Sequence, residues 1–161
     1  MSVEWLATGN EAGAVESKGP VAEDFAFMIA RTIRAHDSRP AVRSNQIVDH
    51  LAVRAAWVRE RLNADPSNLI LFQARGDSMT PGIRDGDLML VDSREAFFRH
   101  DGIYVLTMGD ELAVKRLQRK SNGRVAIRSD NPAYEQITVA EDALRVVGDV
   151  IWLGGALPRN R

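Results

Sequence analysis

The chain has 161 residues, 21 Lys+Arg against 22 Asp+Glu (formal net charge −1), and ordinary globular fractions of 45% apolar and 27% charged residues; this fits one domain with a short appendage and excludes wholesale disorder. It has no cysteine, which excludes a disulfide framework, a thiol nucleophile and cysteine-held metal sites, and fits a reducing compartment such as the cytoplasm. The near-neutral charge also argues against a domain that grips DNA by bulk electrostatics.

Met1–Pro20 lacks the basic stretch and apolar core of a signal peptide, and no run approaches the ~18 apolar residues of a membrane-spanning helix. Three glycines fall in the first 20 residues, none between Val21 and Arg75, and nine after that. Gly9–Pro20 is small, polar and aperiodic, and reads as a linker. Before it, Ser2 to Gly9 reads as a capped helical turn with Trp5 and Leu6 lacking a core of their own. Residues 1–20 are therefore expected to be the remnant of a helical head plus a flexible linker, and residues 21–161 the main domain.

Within that domain Phe25–Ile33 and Gln46–Leu51 are β-permissive. Val53–Leu62 is predicted as a helix, with Val53, Trp57, Val58 and Leu62 on one stripe. Asp65-Pro66-Ser67-Asn68 makes a turn. From Leu69 the pattern is β: Leu69–Arg75, Asp87–Val91, Ile103–Met108, Glu111–Leu117, Arg124–Arg128 and Val146–Leu153. Gly109-Asp110 is a two-residue hairpin signal and Ser121-Asn122-Gly123 the next turn. The expected fold is a small, curled, mainly antiparallel β-domain with one short helix. The apolar strand Val146–Leu153 is expected at an edge, where it would join a homodimer interface.

The three histidines each neighbour an aspartate (His36-Asp37, Asp49-His50, His100-Asp101). Adjacent residues on a strand face opposite ways, so they are read as surface or structural. No ligand spacing, phosphate loop or dinucleotide fingerprint exists, so neither metal nor cofactor is expected. Asn131-Pro132-Ala133-Tyr134 reads as a turn.

Chemistry concentrates in Arg75-Gly76-Asp77-Ser78-Met79-Thr80-Pro81-Gly82-Ile83-Arg84-Asp85-Gly86-Asp87. A serine at a strand end on a constrained backbone is how a nucleophile is exposed beside free amides; the competing reading is a turn whose serine caps a helix. The second piece is Glu111–Leu117, where Lys115 shares a face with Ala113 and Leu117, opposite Leu112 and Val114. Burial lowers a lysine's pKa and makes it a general base; alone, it reads equally as a snorkelling side chain.

Together the pieces resemble the LexA-like serine peptidase family, most closely its phage-repressor members. The matching residues are Gly76-Asp77-Ser78-Met79-x-Pro81, Ile83-x-Asp85-Gly86-Asp87-x-x-x-Val91-Asp92, Gly102-x-Tyr104-Val105 and Val114-Lys115-Arg116-Leu117. Ser129-Asp130-Asn131-Pro132-x-Tyr134 and Val147-Gly148-x-Val150 follow. The resemblance implies a Ser78 nucleophile, a Lys115 base and an oxyanion hole from the Asp77 and Ser78 amides. It implies self-cleavage of a linker, homodimers, DNA contact only through a helix-turn-helix absent from this chain, and an inducer such as a recombinase filament. Ser2–Gly9 resembles the last turn of such a head. The segment aligning with the family's cleavage site is Ala35-His36-Asp37-Ser38, which lacks the usual Ala-Gly or Cys-Gly bond, so self-cleavage is expected to be slow or absent. Two other readings stay open at this point: a soluble Ser-Lys peptidase acting on another protein, and a non-catalytic interaction module with a relict dyad.

Overall fold

The computed structural model describes residues 25–29, 31–32, 50–94 and 96–157. Two sheets are present. Strands β1 (Phe25–Ile29) and β3 (His50–Arg54) form an antiparallel pair. The larger sheet has eight strands in the order β2-β4-β5-β10-β6-β7-β8-β9. These are β2 (Arg31–Thr32), β4 (Leu69–Gln73), β5 (Leu88–Asp92), β6 (Gly102–Met108), β7 (Glu111–Arg119), β8 (Arg124–Arg128), β9 (Ile137–Ala140) and β10 (Val146–Gly154). All pairings are antiparallel except β2 with β4. The sheet is open, with β2 and β9 at its edges, as a small, mainly antiparallel β-domain should be.

The strands β4 and β5 read as continuous apolar runs because they are covered on both faces. Ile70, Phe72, Met89 and Val91 enter one cluster, with Met79, Ile83, Val105 and Val114. Their alternating neighbours Leu69, Leu71, Leu88 and Leu90 enter another, with Val58 and Trp152. The period-two alternation of a strand puts these sets on opposite faces. A third cluster, with Tyr104, Leu106, Leu117, Val125 and Ile127, supports the far end of the sheet.

The helix, α1, spans Ala55–Arg61 and not Val53–Leu62. Val53 and Arg54 instead pair with Ala26 and Phe25; a partner strand overrides the helical spacing there. Trp57, Val58 and Leu62 do form the inward stripe, with Val58 fully buried, Trp57 and Leu62 half-buried, and Trp57 edge-on to Trp152. The expected turn is a 3-10 turn at Pro66–Asn68, capped by Asp65 Oδ1, which accepts from the Ser67 amide at 2.9 Å. The Gly109-Asp110 hairpin joins β6 to β7, with Gly109 at φ +63°.

Two further elements depart from the sequence reading. Strand β9 has no counterpart in it. Strand β10 is not at an edge: it lies between β5 and β6, paired on both sides. Its apolar content reflects that central place. Gly148 is required there, since a Cβ would lie 2.3 Å from the Asp92 carbonyl oxygen. Ser2–Gly9, the linker and Ala35–Ser38 lie outside the described residues.

Candidate active site

The loop between β4 and β5 is wound by backbone bonds at both ends. The Ala74 amide donates to Asp87 O at 2.8 Å and the Gly86 amide to Ala74 O at 2.9 Å. Gly76 and Gly86 take φ values of +82° and +88°, the left-handed region that only glycine enters without strain. The Gly76 amide donates to Asp85 Oδ1 at 2.8 Å. Met79 and Ile83, both under 5% exposed, pin the loop into the core. No helix follows Ser78; the residues after it form turns, with the Thr80 amide donating to Asp77 O at 3.0 Å.

Ser78 is buried, 5% exposed, and lines a small cavity with Gly76, Met79, Ile83 and Val114. The Asp77 and Ser78 amides donate to no acceptor among the described residues. Unengaged amides at such a turn are the donors that an oxyanion requires.

Lys115 stands on β7, on the face shared with Ala113, and lines a cavity of about 270 Å³ with Ile127, Ser129 and Tyr134. Half-burial lowers its pKa from the ordinary lysine value, because a low-dielectric surround disfavours the ammonium. Its Nζ donates to Ser129 Oγ at 2.8 Å and lies 5.5 Å from the centre of the Tyr134 ring. Among the described residues no hydrogen bond joins Lys115 to Ser78.

The segment Ser129–Tyr134 touches both the serine loop and the lysine. The Asn131 amide donates to Ser78 O at 3.0 Å. Asn131 Nδ2 donates to Asp77 O at 3.1 Å, and Tyr134 Oη to Asp77 Oδ1 at 2.6 Å. The segment is the expected turn, since the Tyr134 amide donates to Asn131 O at 3.2 Å and the Ala133 amide to Asn131 Oδ1 at 3.0 Å. Asp130 is held by Arg116 through bonds of 2.7 and 2.8 Å. Ser129 was not legible as a site residue from its own neighbours. The signal that locates it is the turn centred on Asn122, which sets the β7–β8 register.

His100 and Asp101 serve different partners. His100 Nδ1 lies 3.2 Å from Tyr104 Oη, while Asp101 Oδ1 accepts from the Arg119 amide at 2.7 Å. Among the described residues, no three His, Asp or Glu side chains converge as metal ligands, and no helix is long and apolar enough to cross a membrane.

The fold and the serine loop define a class: a β-domain with a buried serine on a glycine-bounded turn and, lining a separate cavity, a half-buried lysine, the two linked through Ser129–Tyr134. The family described as Peptidase S24-like matches residues 29–151, and the chain belongs to that family. The chain is 34% identical over 99 residues to the repressor protein CI of Enterobacteria phage phi80, covering 62% of this chain and 42% of that protein. It is 31% identical over 144 residues to the LexA repressor of Ruegeria sp. strain TM1040, covering 89% of this chain and 57% of that protein. It is 36% identical over 102 residues to the 26 kDa repressor protein of Escherichia phage HK022, covering 61% and 43%. The chain thus spans roughly half the length of these relatives.

Proposed function

We propose that this chain is the C-terminal regulatory and dimerisation domain of a phage-type or LexA-like transcriptional repressor, acting in the cytoplasm, in which Ser78 and Lys115 cut the chain's own connecting segment. The observation that carries the reading is the half-buried, pKa-lowered Lys115 tied through Ser129–Tyr134 to the Ser78 loop. A neutral amine takes the hydroxyl proton as Ser78 Oγ attacks the carbonyl carbon. The carbonyl electron pair moves to oxygen, held by the Asp77 and Ser78 amides. The resulting ammonium returns its proton to the departing amine nitrogen, and water then frees Ser78.

The proposed assembly is larger than this chain. A helix-turn-helix head reads DNA, a homodimer brings two heads to two half-sites, and an inducer such as a recombinase filament promotes the cut. No metal or cofactor takes part in this scheme.

Alkaline incubation of the purified chain carrying Asp37→Ala and Ser38→Gly, which restores the missing Ala-Gly bond, followed by intact-mass measurement tests the reading. Autolysis at a single bond that is absent in Ser78→Ala supports it. A cut only in an added partner protein supports a peptidase acting in trans. An unchanged mass for chain and partner supports a non-catalytic interaction module.

A further inference from the structure

The β7–β8 ladder pairs Arg116 with Arg128. One step toward the open end of the hairpin, that register sets Lys115 opposite Ser129. Strand β8 has just ended, so Ser129 is the first residue past the ladder. Its side chain is buried, 9% exposed, and its hydroxyl meets Lys115 Nζ at 2.8 Å.

The following residues hold Ser129 in place. Arg116 grips Asp130 with two bonds, and Asn131 is bonded to both Asp77 and Ser78. A lysine stem has four torsions, and ordering it costs rotamer entropy. A fixed acceptor on a rigid turn selects one arrangement. A serine hydroxyl has two acceptor lone pairs, so it can take an N–H from the ammonium, in the stronger charge-assisted bond, and also from the neutral amine. Accepting an N–H from the neutral amine leaves the nitrogen lone pair pointing elsewhere.

We infer that Ser129 is a positioning residue for Lys115: its hydroxyl accepts one Nζ–H and so leaves the amine lone pair to receive the Ser78 proton. The inference rests on the proposed Ser78/Lys115 chemistry. Ser129 itself gives up no proton in the reaction; the proton passes from Ser78 Oγ to Lys115 Nζ and on to the leaving nitrogen. The other groups that face the amine are the Tyr134 ring, with Glu111 and Glu135 on the same cavity.

Ser129→Ala and Ser129→Thr are compared in two experiments. In the first, the chain carries isotope-labelled lysine and Lys115 is titrated by NMR, with Lys115→Arg identifying its signal. Removing the acceptor withdraws a bond that favours the ammonium, so Ser129→Ala titrates at lower pH and Ser129→Thr like the parent. In the second, cleavage is followed against pH in a chain carrying Asp37→Ala and Ser38→Gly. Ser129→Ala is expected to lose roughly ten- to a hundredfold of the plateau rate, the scale of a misplaced catalytic group, and to show its rising limb at lower pH. Ser129→Thr returns both to within a few-fold. An unmoved Lys115 titration in Ser129→Ala overturns the inference, whether or not the parent cuts. So does cleavage by Ser129→Ala at the parent plateau, or a covalent acyl group on Ser129 in place of Ser78. Failure of the dyad reading looks different: the parent does not cut, or Ser78→Ala cuts equally well, while the Lys115 titration still judges Ser129.

Discussion

Arg116 on β7 holds Asp130 by two hydrogen bonds, Nε to Oδ1 at 2.7 Å and Nη2 to Oδ2 at 2.8 Å. The guanidinium holds the Asp130 carboxyl below the usual carboxylate range. A depressed carboxylate stabilises the fold above its unfolded pKa of about 3.9, and that contribution is lost as pH falls through the folded value. Asp130→Asn is therefore expected to cost about 1 kcal/mol at pH 7, reduced from a buried pair by solvent around Arg116. Urea midpoints at pH 7 and near pH 2 check this: the difference from the parent should shrink at the lower pH.

At Lys115 the pH dependence runs the same way, but here the charged form costs stability at pH 7 instead of adding it. Its folded pKa is lowered by burial, so between that value and the unfolded ~10.4 the unfolded chain binds the extra proton. Stability attributable to Lys115 rises with pH through that window. Replacing it by methionine, together with Ser129→Ala so that no buried hydroxyl is stranded, should raise the melting temperature at pH 7. The gain should shrink as pH approaches about 10.4. Thermal melts across that range read it directly.

Much of this site follows from sequence pattern. Lys115 could be placed on the Ala113 face because a strand alternates, and the Gly109-Asp110 hairpin fixed where β7 begins. The serine loop announced itself by glycines at Gly76 and Gly86 that the fold uses at positive φ. What pattern could not supply was long-range pairing. Val53 has helical spacing to Trp57 yet belongs to β3, because Ala26, far off in the chain, is its partner. Strand β9 is only four residues long and mostly exposed, too short a stretch for its Ile137/Val139 alternation to stand out from a loop; its pairing with β8 creates it. The apolar run of β10 is the same whether the strand is central or exposed, and only its two neighbours decide. Ser129 stood in the sequence only as the first residue of the Ser129–Tyr134 match, and nothing in that match ties it to Lys115; the β7–β8 pairing does.

Asp149 faces Asp92 across the β10–β5 ladder. Burial first, then the Asp92 charge, pushes the Asp149 carboxyl up. A raised carboxyl destabilises the fold once pH exceeds its unfolded value. Asp149→Asn should thus raise the urea midpoint at pH 7, with no gain near pH 3, where the group is protonated in both states. A lower midpoint at pH 7 would show that the His100 contact, 3.9 Å away, outweighs the repulsion.

Leu71 is 1% exposed, in the cluster that joins α1 to the sheet, whereas Leu157 is 88% exposed. Leu71→Ala should cost about 2–5 kcal/mol through lost burial and the cavity left behind. Leu157→Ala should stay within about 0.5 kcal/mol of the parent. Denaturant titrations of the pair compare a core position with a surface one.

We propose Ser78 and Lys115 as a competent dyad, in a native chain that lacks the expected Ala-Gly bond at Asp37-Ser38. The most direct measurement is mass spectrometry of the Asp37→Ala, Ser38→Gly chain after incubation from neutral pH to about pH 10, the upper range in which a lysine deprotonates. The predicted result is one cut between positions 37 and 38, rising with pH and abolished by Ser78→Ala or Lys115→Ala with the fold retained. An intact mass at every pH in a folded chain, or a cut that survives Ser78→Ala, would contradict it.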